Sequence, residues 1–445
     1  MQYFLVTYGC QMNRSDAERV AAVLEGMGFS PAANESEANV LGVVACSVRQ
    51  KSADRVYGRS LAWNERSDRG QIITFVTGCV LERDRGKLAK LFDIQFPIQD
   101  LPKLPELLIS GGFALSADFV FRQSVMSDAR TDYWKIAPLA ASAHQAWIPI
   151  QNGCNRFCAY CAVPYTRGRE VSRDPKEILD EIACLLERGY RSFTLLGQNV
   201  NSYGRDWSSG EPAFARLLGD AARLIEKSGR EALIYFTSPH PSDMQREVFE
   251  LMAAHPAIAR QAHLPMQSGD DAVLRRMHRS YTMERYREIV GWVRELVPDA
   301  ALFTDIIVGF PGETEEEFEH TREAVQDLAF DMVFTAVYSP RAGTAGAKLP
   351  DDIPREEKSR RLGVLQDLLK TMGAEKKKRF IGTTQRVLVD GAAGADIVSA
   401  RTNGLIPVHV RIPGVNPAEF IGQFIDVRVI SASALSLAAE YTAAS

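Results

Sequence analysis

Short apolar runs bounded by glycine, serine and polar residues alternate with stretches of helical period along most of this chain. Three runs near the start, Tyr3 to Tyr8, Val40 to Ala45 and Ile72 to Val76, are rich in β-branched or aromatic residues. Their length and composition predict buried strands of a parallel sheet. Each is followed by a cysteine, Cys10, Cys46 or Cys79, and then by a helix-like stretch. Residues just outside the carboxyl ends of parallel strands meet in one crevice, so these cysteines are expected to be neighbours in space.

Residues 101 to 146 lose this periodicity and carry Pro102, Pro105, Gly111 and Gly112, which marks a domain boundary. Beyond it, strands are expected near 147–151, 193–197, 232–237, 261–266, 301–308 and 332–338, with helices between them. Asp174 followed by Pro175 predicts a helix start, and Thr314 with Glu317 predicts a capping box. About six βα units fall short of the eight that close a full barrel, so a partial barrel is expected. A last helix, Arg355 to Phe380, holds nine Lys or Arg against four Asp or Glu and ends in Lys376, Lys377, Lys378 and Arg379. After it, Gln385 to Val389, Pro407 to Ile412 and Ile425 to Ile430 predict a small all-β barrel, a type that often holds oligonucleotides. The fold class is therefore α/β, with an N-terminal parallel α/β domain (1–118), a linker (119–139), a central partial (β/α)6 barrel (140–371) and a C-terminal β barrel (372–438).

Composition narrows the function. The 445 residues are 46% hydrophobic and 24% charged, as in a folded chain of about three domains. A net charge of -4 excludes a bulk positive field, so any nucleic-acid contact must be a local patch. No run nears the roughly 20 apolar residues of a membrane span, and the N-terminal stretch has no basic leader, so a cytoplasmic, reduced protein is expected. Seven cysteines are too few and too odd a number for a disulfide scaffold.

The sharpest chemical signal is Cys154-Asn-Arg-Phe-Cys158-Ala-Tyr-Cys161. Structural zinc normally takes four protein ligands, and here a fourth is missing. Three thiolates on a 4Fe-4S cluster leave one iron open to a substrate or cofactor. Cys10, Cys46 and Cys79 form a second incomplete set, which favours a second such centre. Cys184, mid-helix among Ile182, Ala183, Leu185 and Leu186, is expected to be a packed thiol. A rival class is a non-catalytic RNA-binding protein whose cysteines hold zinc.

Seven stretches carry a resemblance over nearly the whole chain: 7–18 (TYGCQMNRSDAE), 45–59, 77–80, 152–170 (NGCNRFCAYCAVPYTRGRE), 195–204, 263–271 and 305–318. They resemble the methylthiotransferase family of radical S-adenosylmethionine enzymes, and most closely its tRNA-modifying branch. Branches acting on threonylcarbamoyladenosine or on a ribosomal protein are less similar. The resemblance implies two 4Fe-4S clusters and S-adenosylmethionine as cofactors, with Cys154, Cys158 and Cys161 on the radical-generating cluster and Cys10, Cys46 and Cys79 on the sulfur-handling one. One S-adenosylmethionine would supply the radical and another the methyl group. The implied reaction turns C2–H of N6-isopentenyladenosine, beside the tRNA anticodon, into C–S–CH3, and an electron donor is needed. Tyr160 is expected against the cofactor adenine, and Gly197, Gln198, Asn199 and Gly309 at strand ends where the cofactor approaches. Arg167, Arg169, Lys376, Lys377 and Lys378 are candidate RNA contacts. The resemblance also implies a C-terminal TRAM domain. There, Ala400-Arg401-Thr402-Asn403-Gly404 replaces the usual Gly-Arg-Thr stretch, and residues 381–445 hold four basic against five acidic residues.

Overall fold

The computed structural model describes residues 1–46, 50–66, 68–111, 133–139 and 142–442. The first sheet contains β1 (Gln2–Thr7), β2 (Ser30–Pro31), β3 (Val40–Cys46), β4 (Ile73–Cys79) and β5 (Ile94–Gln95), in the order β2-β1-β3-β4-β5 and all parallel. Every residue of β3 and β4 is buried, because separate apolar cores cover the two faces. Cys46 and Cys79 are the last residues of their strands and lie opposite one another in register, not just past the strand ends as expected. Cys10 directly precedes the helix Gln11–Gly26.

Of the expected linker, 119–132 lies outside the described residues. Tyr133 and Trp134, at the far end of that stretch, are buried in the first domain's core.

The central region supplies β6 (Gln145–Pro149), a small antiparallel pair β7 (Gln151–Asn152) and β8 (Val171–Ser172), and then β9 (Ser192–Leu196), β10 (Leu233–Phe236), β11 (Gln261–His263), β12 (Ala301–Val308) and β13 (Met332–Val337). Six of these form two parallel triplets, β6-β9-β10 and β11-β12-β13, joined by a parallel bridge between Ile234 and Ile258. Among the described residues β13 does not pair back to β6, so the barrel is open on one side. Its strands fall where the apolar runs predict them. Both helix starts also form as predicted: Asp174 accepts from the Lys176 amide, and Thr314 with Glu317 makes the reciprocal capping box.

The helix Arg355–Lys377 packs on this core through Leu365, Leu368, Leu369 and Met372, and so runs across the boundary expected at 371. The chain then closes a five-stranded barrel from β14 (Thr384–Ala392), β15 (Ile397–Thr402), β16 (Pro407–Arg411), β17 (Phe424–Ala432) and β18 (Leu437–Tyr441). This barrel covers the amino ends of the central strands. Ala301 and Phe303 join its core, Arg401 lies over Tyr235 and bonds Ser192, and Asn403 accepts from the Arg260 amide.

Candidate active site at the domain junction

Both cysteine sets sit at the opposite, carboxyl ends of their sheets, where the first domain meets the central one. Ser15 bonds the Trp147 carbonyl across this junction, and Met12 packs on Trp147 and Leu196.

In the first domain the turn into the helix is set by Gly9, whose φ of +123° suits glycine and whose Cβ would lie 2.6 Å from that of Cys46. Asn13 is the hub. Its amide nitrogen donates to the carbonyls of Tyr8 and Ala45, tying β1 to β3. Its Oδ1 lies 3.7 Å from the sulfurs of both Cys10 and Cys79.

Arg167 reaches this hub from the central domain. Its Nε donates to Cys79 Sγ at 3.0 Å, its Nη1 to Asn152 and its Nη2 to Asn13 and Asp16. The side chains of Arg167 and Asp16 are 2% and 0% exposed, and Tyr133 donates to the second Asp16 oxygen. Arg167 is therefore buried in the junction and unavailable as the expected RNA contact. Burial pushes the Cys79 thiol up to about 12, with Arg167 pulling the other way.

The second set lies on a loop after β7. Gly153 enters it at φ +83°, and a Cβ there would fall 2.1 Å from the Arg169 carbonyl oxygen. Gln198 Oε1 accepts from the Gly153 amide, and Phe157 takes a left-handed φ of 48°. The Arg156 amide donates to Cys154 Sγ at 3.5 Å and Arg279 Nη1 to Cys158 Sγ at 3.4 Å. Arg156 is anchored by a fork of bonds to Asp243, which also accepts from Asn199. Burial raises the thiols of Cys154 and Cys161 to about 11 and about 12, so loading a metal must displace their protons. We expect Gly153→Ala to open this loop. With one similar iron–sulfur cluster on each cysteine set, iron retained after anaerobic reconstitution and desalting should fall by about half.

These donor sets fit iron–sulfur clusters. Each offers three thiols, with N–H or guanidinium groups aimed at the sulfurs of Cys79, Cys154 and Cys158, the kind of hydrogen bonding that tunes cluster potential.

The expected cofactor contacts divide. Tyr160 packs beside Ala159, Phe310 and Tyr338 next to the Cys154–Cys161 loop. Gln198 and Asn199 instead brace that loop, Asn199 through Asp243 and the His240 amide. The space above Gly197 is filled by Gln151, and that above Gly309 by Lys358, whose Cγ would lie 2.4 Å from an added Cβ. Gly309 is thus a packing contact with the last helix, not an open approach for a ligand.

Other expectations are corrected. Lys376 pairs with Asp331 at 2.8 Å, and Lys377, 1% exposed, donates to the carbonyls of Asp331 and Ala434. They fasten the helix end to the core and are not offered to RNA; Lys378 pairs with Glu375 on the surface. Arg169 is exposed, with its guanidinium over the Phe157 ring. Cys184 is exposed because the buried stripe of its helix runs through Ile178, Ile182, Leu185 and Leu186.

Asp16, Asn152, Arg279 and Asp243 carry much of this geometry and were not singled out from the sequence. Glu170, which follows the Cys154–Cys161 segment, is also buried, with one oxygen accepting from Ser202. Burial raises its pKa from 4.5 to about 7. Between those values the native state keeps a proton that the unfolded state has released, so stability falls as pH rises through this window. Glu170→Gln should remove that slope, and thermal midpoints of the two proteins should diverge in favour of Gln across the window.

Comparisons with known proteins agree with this layout. The Radical SAM superfamily pattern matches residues 148–325, and that of "Uncharacterized protein family UPF0004" matches residues 2–97. A tRNA-2-methylthio-N(6)-dimethylallyladenosine synthase of Carboxydothermus hydrogenoformans is 37% identical over 442 residues, covering 96% of each chain. One from Acidothermus cellulolyticus is 38% identical over 428 residues, 94% of this chain and 84% of that one. Among solved structures, the radical S-adenosylmethionine methyltransferase TsrM of Kitasatospora setae shares the fold at a TM-score of 0.54 and 16% identity, over 88% of this chain and 79% of that one.

Proposed function

This chain belongs to the family of tRNA-2-methylthio-N(6)-dimethylallyladenosine synthases, and from that premise we propose that it inserts a methylthio group at C2 of N6-isopentenyladenosine in the tRNA anticodon loop. It is a radical S-adenosylmethionine transferase. Cys154, Cys158 and Cys161 would hold the cluster that, with S-adenosylmethionine, supplies a radical able to break an unactivated aromatic C–H bond. Cys10, Cys46 and Cys79 would hold a second 4Fe-4S cluster that keeps sulfur near the target carbon. An external electron donor completes the requirement.

The observation that carries this reading is the pair of three-cysteine sets facing one junction, linked by Arg167 from the radical domain to Cys79 of the other. Each set leaves one corner of a four-iron cluster without a protein thiolate, so each keeps a site for exchangeable ligands. The chain's own residues position: Asn13 and Arg167 hold the first set, and Arg156, Arg279 and Gln198 hold the second. Nucleoside mass spectrometry of tRNA from a deletion strain tests the reading. Loss of the methylthio group with isopentenyladenosine retained is expected, and unchanged tRNA would overturn it.

A further inference from the structure

On the inner face of the open barrel, β12 presents its residues in a meaningful order. Ala301 and Phe303 contact the C-terminal barrel, while Ile307 packs against the cluster-loop group of Ala159 and Tyr160. The intervening residues Leu302, Ile306 and Val308 point the other way, into the core shared with the helices. Asp305 thus lies on the inner face, one pleat repeat of about 7 Å from the residue that touches the cluster loop.

Two side chains flank it. Phe334 on β13 is its register partner, and His263 on β11 is the partner of Phe303. His263 Nε2 lies 2.6 Å from Asp305 Oδ2. The His263 and Phe334 rings are 5.6 Å apart at 41°, and Phe303 meets Phe334 edge-on at 6.4 Å. Phe334 is nonetheless 47% exposed, because β13 is the strand at the open side of the barrel. The next residue on the same face, Ala336, is the partner of Ile307 and is small and exposed, leaving room between the Phe334 ring and the cluster loop.

We propose that Phe334, His263 and Asp305 form the platform on which the N6-alkylated adenine docks, unstacked from the anticodon loop. The inference rests on the functional reading above and names the subsite within it. Single-stranded bases are read by stacking on aromatic rings and by hydrogen bonds to their edges. An N6-alkylated adenine keeps one N–H at N6, which suits an acceptor-only carboxylate such as Asp305. Its alkyl chain is apolar and suits the Phe334 ring and the space over Ala336. A lone exposed phenylalanine needs no explanation. This one is ordered among rings and stands in line with the cluster loop.

The test uses anaerobically reconstituted full-length protein and anticodon stem-loop RNA carrying either N6-isopentenyladenosine or adenosine. Affinities are read by fluorescence anisotropy. Phe334→Leu keeps apolar volume but loses the ring face, and should weaken the modified loop roughly tenfold to a hundredfold, the range for one stacked base. The preference for the modified loop should shrink, and Phe334→Trp should retain it. Iron content equal to wild type shows that both variants are folded. Wild-type affinity and preference in Phe334→Leu, or equal weakening of both loops, would overturn the platform while the functional reading stands. A wild-type protein that does not distinguish the two loops would overturn that reading itself.

Discussion

Cys158→Ala should abolish 5′-deoxyadenosine formation from S-adenosylmethionine in the reconstituted enzyme. Cys158 is buried, and its sulfur accepts from Arg279, which is itself buried. Removing the thiol takes away a proposed cluster ligand and the sulfur acceptor of that guanidinium. Loss of supporting partners alone typically lowers metal-site affinity or activity 10- to 100-fold, so loss of a ligand should exceed about a hundredfold. With a four-iron cluster on each set, as proposed, iron should fall from about eight to about four atoms per chain, since the first-domain set is untouched. Continued 5′-deoxyadenosine formation would remove Cys158 from the radical site.

The second large effect is on stability. Asp16→Ala leaves Arg167 buried beside Asn13, Asn152 and Cys79 without its carboxylate, and frees the Tyr133 hydroxyl as well. Breaking a buried ion pair by deleting one member usually costs about 3–5 kcal/mol. The double change Asp16→Leu with Arg167→Met should recover much of that loss, because apolar replacement of a whole buried pair is often neutral. Urea midpoints of the apo proteins under reducing conditions decide this. A single variant as stable as wild type would show that the pair does not hold the junction together.

The strand positions of the central barrel were legible because each is a short β-branched run between turn signals, and β12 spans 301–308 as expected. The cysteine sets were legible for a different reason, since one is contiguous and the other follows a repeated strand-then-cysteine unit. What joins them was not legible. Asp16 and Arg167 are 151 positions apart, and neither shows on a local pattern that it will be buried against the other. Arg167 looked like a basic residue beside a cluster, and only the packing of the first domain on it shows that its charge is already used.

The Lys376 to Arg379 run misled for a related reason. A charged helix end normally faces water, but Asp331 is buried beneath it and gathers Lys376 and Arg379, while Lys377 threads inward to two carbonyls. With those cations committed and the C-terminal barrel near neutral, exposed Arg169 stays the candidate RNA contact nearest the cluster segment.

The most direct measurement is mass spectrometry of an anticodon stem-loop carrying N6-isopentenyladenosine after anaerobic incubation with reconstituted protein, S-adenosylmethionine, a reductant and sulfide. The expected product carries a methylthio group at C2 of that nucleoside, formed by wild type and absent when Cys10, Cys46 and Cys79 are replaced by alanine. An unmodified nucleoside from wild-type protein that still forms 5′-deoxyadenosine would contradict it.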